Sequence, residues 1–447
     1  MIYSSFSQQL VAQLSQRQRV VLALSGGLDS RVMLDLLRRF RDAYPQYDYL
    51  AVYVHHGLSC NADRWADNCL RWSNEAGIAC VVEKVSVDQR QGGLEQGARE
   101  ARYDALRRHI TDGAVLLTAQ HLDDQCETFL LALKRGSGPK GLSSMPSNTA
   151  FAGGVHLRPF LATSRDALEA YAKEHQLEWN EDESNSDTRF DRNFLRHQVM
   201  PVLSERWPSI SANIARSARL CGEQEAALAL LLQDKLAQLT VSDGLCCTQL
   251  QDQPTVIQRQ LLRAWLSPQV SVMPSEAQLN TMLSEVLAAR DDANPSVQWG
   301  RYQLRRHQDR LHLVRPFADV SGWQATLAVG QTLALPDGLG ALSLLAATGK
   351  PVSSTLMLRA PQADEPITVR FAVEGLQVKP AERHAGRRKM KKLYQEYGIP
   401  SWQRPRQPMI FFGDELAAIA GLFVCEGFVG EDVALALKST ESEMLSI

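Results

Sequence analysis

A chain of 447 residues is too long for one ordinary core, so two or three domains are expected. Its 45% hydrophobic and 22% charged residues are the balance of a folded globular protein, and a formal net charge of -2 excludes a uniformly basic nucleic-acid coat while leaving room for a local basic patch. The opening residues lack the charged-then-apolar layout of a secretory leader, and no run reaches membrane-spanning length, so a cytoplasmic protein with no membrane partner is expected. The eight cysteines form no CxxC pair, which leaves structural zinc, iron–sulfur clusters and dithiol redox chemistry without their ligand spacing.

In chain order, Arg19 to Leu24 is a short apolar run that leads into a glycine pair and reads as a buried strand. Asp29 to Phe40 follows with Val32, Met33, Leu36, Leu37 and Phe40 at helical spacing. Tyr49 to Val54, Cys80 to Val85 and Ala114 to Thr118 are further strands, each followed by a helix: Asn61 to Ala76, Leu94 to His109 and Asp123 to Lys134. Repeated βα units of this length predict an α/β fold with a parallel, doubly wound sheet and ligands at the carboxyl ends of its strands. Ile210 to Leu239 and Pro254 to Arg290 then carry helical periodicity, Val297 to Val314 is strand-like, and a compact module begins beyond Pro351. The expected division is a catalytic domain over 1–205, a mostly helical middle domain over 206–345 and a small α+β C-terminal domain over 346–447.

Ser25-Gly26-Gly27-Leu28-Asp29-Ser30 lies between the first strand and its helix. The glycines let backbone amides approach phosphate oxygens, the serines add hydroxyl donors, and the helix N-terminus favours an anion. A carboxylate beside a triphosphate makes sense if Asp29 holds a divalent cation; the plainer alternative makes Asp29 or Ser30 a helix N-cap. A second motif, Thr118 to Thr128, follows the fourth strand and so lies at the same sheet edge. It sets Asp124 and Glu127 three residues apart on one helical face with His121 just ahead, and Asp123 is suited to cap the helix. Arg99 and Arg102, on the preceding helix, either reach phosphate or carboxylate bidentately or line a solvated face.

The first motif has no lysine where a Walker A loop needs one. It resembles the PP-loop of the N-type ATP pyrophosphatases, which implies cleavage of ATP between its α and β phosphates, AMP transfer and release of pyrophosphate. TAQHLDDQCET, Lys134 to Gly138, His156-Leu157-Arg158-Pro159-Phe160-Leu161, Asn180 to Asn185 and Arg192 to His197 together resemble the tRNA(Ile)-lysidine synthetases, most densely between residues 25 and 203. That resemblance implies ATP-Mg as cofactor and adenylation of C2 of the wobble cytidine in the CAU anticodon of isoleucine tRNA. The ε-amine of L-lysine then displaces AMP, forming lysidine and changing the codon read from AUG to AUA. It also implies that Ser25 to Ser30 hold ATP with magnesium on Asp29, that the HLDD segment lines the pocket, and that Asn185, Arg192, Asn193 and Arg196 shape it or touch RNA. Homodimers are frequent in the family, and many members carry His where this chain has Gln120.

Chemistry supports that assignment. A pyrimidine carbonyl oxygen is a poor leaving group until AMP is attached, and the attacking amine must lose a proton, which calls for a carboxylate at the site. Asp124 or Glu127 suits that task, with His121 an alternative base. Between Arg383 and Arg406 stand eight Lys or Arg residues and one acid, Glu396. Arg387, Arg388, Lys389, Lys391 and Lys392 form the expected phosphate-backbone footprint, and the resemblance implies a C-terminal domain that grips the tRNA acceptor end. A PP-loop thiolase lacks its cysteines here, and an amidotransferase lacks its nucleophile, since Ile2 follows the first Met.

Overall fold

A computed structural model describes residues 2–14, 18–87, 94–111, 113–183, 187–241, 244–290, 293–347, 355–383 and 386–438. Two compact units divide the chain, Met1–Leu228 and Ala229–Ile447. No helix among the described residues is long and apolar enough to cross a membrane.

The first unit runs α1 (Ile2–Val11), β1 (Arg19–Ala23), α2 (Leu28–Ala43), β2 (Asp48–His55), α3 (Ala62–Glu75), β3 (Ala79–Lys84), α4 (Leu94–Arg107), β4 (Val115–Leu117), α5 (Leu122–Lys134), α6 (Pro139–Leu142), β5 (Asn148–Phe151), β6 (Gly154–Leu157), α7 (Arg165–Glu174), α8 (Asp191–Phe194), α9 (Met200–Arg206) and α10 (Ile210–Leu239), the last of which crosses into the second unit. The sheet order is β3-β2-β1-β4-β6-β5. All pairings are parallel except that of the edge hairpin β5–β6, whose turn places Ala152 and Gly153 at φ 51 and φ 82.

Both faces of the sheet are covered, so its strands are apolar on both sides. Val20, Leu22 and Leu24 pack with Phe40 and Leu168 on one face, and Val21, Val52 and Leu116 pack with Leu106 on the other. The chain moves outward from β1 through β2 to β3 and then returns to place β4 on the other side of β1. Such a reversal opens a crevice at the carboxyl ends of the two central strands. The loop after β1 and the loop after β4, far apart in sequence, therefore share one edge.

Between α8 and α9 the helix widens into a π-helical turn over Leu195–Val199. Pro201 has no amide proton to give the carbonyl four residues back, which favours the wider turn. Arg196 sits on it.

In the second unit, three helices (Cys247–Gln251, Thr255–Leu266 and Glu276–Thr281) accompany a five-stranded antiparallel sheet that ends with Arg310–Val314. Two further antiparallel sheets follow, built around Met409–Phe412 and Val433–Lys438. The strand Ala341–Ala346, which spans the expected boundary at 345, pairs along its whole length with Val433–Lys438 and belongs with the C-terminal sheets.

Candidate active site

Gly26 takes φ +81, where a side chain is strained, and a Cβ there would fall 2.6 Å from Asn180 Nδ2 and 2.9 Å from Cys69 Sγ. Its carbonyl accepts from the Asn180 amide at 2.9 Å, and Asn180 Oδ1 accepts from Asn68 Nδ2 at 2.8 Å. The loop is thus held from outside by a residue of the Asn180–Glu183 segment. Gly27, not Asp29 or Ser30, stands at the N-cap of α2, and it has no side chain to cap with. The Ser30 hydroxyl instead accepts from the Gly26 amide at 3.0 Å, donates to the Gly27 carbonyl at 3.0 Å and lies 3.0 Å from Ser25 Oγ. Leu28 is buried and anchors the first turn.

Asp29 projects from that turn. One oxygen lies 3.7 Å from His121 Nε2; the other, Oδ1, is buried with no hydrogen-bond partner. Burial raises the Asp29 pKa, and the charges of His121, Arg165 and Arg196 pull against that rise. The orphaned oxygen fits a cation. Among the described residues no three His, Cys, Asp or Glu side chains gather into a metal cage, and Asp29 is the residue that would hold a divalent ion.

His121, only 2% exposed, is the N-cap of α5, a role expected of Asp123. Its Nδ1 accepts from the Asp123 amide at 3.3 Å while Asp124 Oδ2 accepts from the His121 amide at 3.0 Å, a reciprocal capping box. Asp123 is occupied elsewhere: its Oδ2 accepts from the Arg165 amide at 2.9 Å and ties α5 to the start of α7. Around the imidazole stand Asp29, Asp123 and Asp124 at 3.7, 3.3 and 3.5 Å. Burial works against its charge, but the three carboxylates outweigh burial and raise the His121 pKa. His121 thus stands where three acids converge on one site.

Glu127, 1% exposed, meets Arg196 at 2.7 Å and Arg192 at 3.2 Å, and Arg196 also reaches Asp124 at 3.3 Å. Burial raises the Glu127 pKa against the pull of Arg196. Arg192 also donates to Thr128 Oγ1 at 3.1 Å. Asn193 donates to the Asp187 carbonyl at 3.0 Å, a contact within its own segment. Asn185 lies outside the described residues.

Arg99 and Arg102 sit on α4, and the charge of Arg99 acts on His156 and Arg158. Arg99 lies 5.0 Å over the Tyr103 ring. Arg102 acts on His56 at the end of β2, where burial first and this charge second bring the His56 pKa down to about 4. In the second unit, Met390, Leu393 and Tyr394 turn inward from a short basic helix, while Arg387, Lys389, Lys391 and Lys392 are exposed. Arg388 is committed, with Arg383, to an ion pair with Glu396. Asn180, Thr118 and Gln120, on which no role was placed, prove to be bonded into the site's walls; their only sequence signal is membership of the two motif strings.

Comparison with known proteins agrees with this layout. Residues 2–203 match a PP-loop domain, 245–312 a TilS substrate binding domain and 367–437 a TilS substrate C-terminal domain. The chain is 51% identical over 437 residues to a tRNA(Ile)-lysidine synthase of Photobacterium profundum, covering 97% of this chain and 99% of the relative. The chain belongs to the tRNA(Ile)-lysidine synthase family. A tRNA(Ile)-lysidine synthase of Vibrio parahaemolyticus is 48% identical over 97% of this chain and 98% of its own length. Among solved structures, a U34-tRNA thiolase of Methanococcus maripaludis aligns over 49% of this chain and 78% of its own at 18% identity and a TM-score of 0.42, too loose a likeness to argue from. Along this tRNA(Ile)-lysidine synthase family chain the PP-loop domain comes first and the TilS domains follow.

Proposed function

We propose that this enzyme, an ATP-using ligase that forms lysidine on tRNA(Ile), works by adenylating the wobble cytidine and then passing C2 to L-lysine. The observation that carries this reading is the convergence of Asp29, His121, Asp124 and Glu127 on one sheet edge beside a phosphate loop. Ser25 to Ser30 would hold the phosphates of ATP, and Asp29 would hold Mg2+. When bound, the ion would offset charge as the base oxygen attacks the α phosphate and pyrophosphate leaves.

In the second step the lysine amine attacks C2, AMP departs and a proton goes to a carboxylate. Three candidates were open for that acceptor, and their surroundings separate them. His121 accepts from the Asp123 amide at Nδ1 and so carries its proton on Nε2, which leaves no free lone pair for the amine's proton. Glu127 is buried against two arginines that an ammonium would have to displace. Asp124, with its side chain 17% exposed, is the one we assign to the lysine ammonium. Arg192 and Arg196 hold the acids in register, and the exposed cations of 387–392 bind tRNA backbone. The family resemblance adds a cytoplasmic setting and a homodimer as the working assembly.

Incubation with labelled lysine, ATP-Mg and tRNA bearing a CAU anticodon tests the reading; RNA without label after such a reaction sinks it. Reversing Lys391 and Lys392 to Glu is expected to weaken tRNA binding uniformly and to flatten the slope of log Kd against log salt by about 1 to 2. Filter binding at several salt concentrations reads this, and an unchanged slope removes these lysines from the interface. Arg388 is a poorer probe because Glu396 already neutralises it.

A further inference from the structure

One buried polar chain in the catalytic unit is unused by the mechanism above. Arg158, just beyond β6, places Nη2 2.9 Å from His156 Nδ1. His156 places Nε2 2.7 Å from Thr118 Oγ1 at the end of β4, and Thr118 Oγ1 in turn bonds Gln120 Oε1. His156, Thr118 and Arg158 are buried, at 2%, 6% and 8% exposure.

Donor rules leave this chain one direction. A guanidinium has no acceptor, so Arg158 donates and His156 Nδ1 must accept. A neutral imidazole then carries its proton on Nε2, which is directed at Thr118. Burial first and the Arg158 charge second hold the His156 pKa at about 3, so the ring is neutral under working conditions. Thr118 accepts that proton and spends its single O–H on the Gln120 carbonyl oxygen. Were the Gln120 amide flipped, Thr118 would face two donors and its own buried hydroxyl proton would have no acceptor. The Gln120 NH2 therefore turns away from Thr118, at the residue that precedes His121.

We propose that Arg158, His156 and Thr118 are positioning residues that lock Gln120 with its carbonyl inward, so that its NH2 donates to an oxygen of the bound nucleotide. This rests on the adenylation reading. The oxygen belongs either to a phosphate of ATP or to the pyrimidine carbonyl, and kinetics separates the two.

Four variants of the full chain are compared. Gln120→Glu keeps the inner oxygen but replaces the outer donor by an acceptor, and is expected to lower kcat/KM for AMP formation about a hundredfold. The loss falls on KM for ATP if the oxygen is a phosphate's, and on kcat at saturating ATP if it is the base carbonyl's. Thr118→Val is expected to cost about tenfold, and Thr118→Ser, which keeps the hydroxyl, to stay within about twofold of wild type. The Thr118→Val/Gln120→Glu double variant should be no worse than Gln120→Glu alone, because the hydroxyl then has no amide to orient.

Losses that multiply, or a Thr118→Ser as poor as Thr118→Val, overturn the proposal, since a purely structural hydroxyl would behave so. Nitrogen-15 NMR of histidine-labelled protein, with His156 assigned by its loss in His156→Gln, supplies a readout that needs no turnover. A neutral ring protonated at Nε2 is expected; protonation at Nδ1 overturns the chain. If wild type failed to join lysine to tRNA, the nitrogen signal would still decide the hydrogen-bond order.

Discussion

Asp29→Ala is expected to lower AMP and pyrophosphate formation by about a hundredfold to a thousandfold while the protein remains folded. The loss is on the scale of removing one preorganised charge-stabilising group from a transition state. The fold should survive for a thermodynamic reason. Burial raises the Asp29 pKa, so at neutral pH the ionised carboxylate opposes folding, and that cost disappears only below the pKa of the unfolded chain. Alanine removes the cost along with the function. Pyrophosphate release with CAU-anticodon tRNA, read beside a thermal melt, checks both halves. Release at the wild-type rate would refute the role given to Asp29.

Arg196→Met should act on stability as well as on activity. Arg196 bridges Glu127 at 2.7 Å and Asp124 at 3.3 Å across roughly seventy residues of chain. Without it, the 1% exposed Glu127 keeps only Arg192, at 3.2 Å. Breaking one side of a buried pair typically costs about 3–5 kcal/mol, and the remaining arginine argues for the lower end, about 3 kcal/mol. Replacing both partners, as in Glu127→Leu/Arg196→Met, should recover most of that stability and none of the activity. Urea unfolding of wild type and the two variants gives the comparison. A cost below about 1 kcal/mol for Arg196→Met would show that Arg192 alone suffices.

How much of the site could be read beforehand follows from which interactions are local. The Asp124 to Glu127 spacing is set by about one helical turn, so both carboxylates could be placed on one face without a structure. The caps could not. Asp123 has the composition of an N-cap, yet the Arg165 amide claims its carboxylate and His121 takes the cap. Asp29 and Ser30 have the same composition at α2, yet Ser30 turns its hydroxyl onto the glycine backbone. Composition ranks candidates for a cap; tertiary neighbours decide between them. The basic helix repeats the lesson, since a count of charges does not reveal that Glu396 holds both Arg383 and Arg388.

The alternation of the first four strands with their helices, the glycine turn after β1 and the acidic helix start were determined by sequence alone, because each depends on residues within a turn or two of one another. The placement of β4 beside β1 was decided only in three dimensions, and so was everything that followed from it: the 3.7 Å approach of His121 to Asp29, the return of Arg196 to Glu127 and the hydrogen-bond chain from Arg158 to Gln120. The physical reason is that a buried polar group must find its partner wherever packing brings one, and packing joins segments that no local pattern connects.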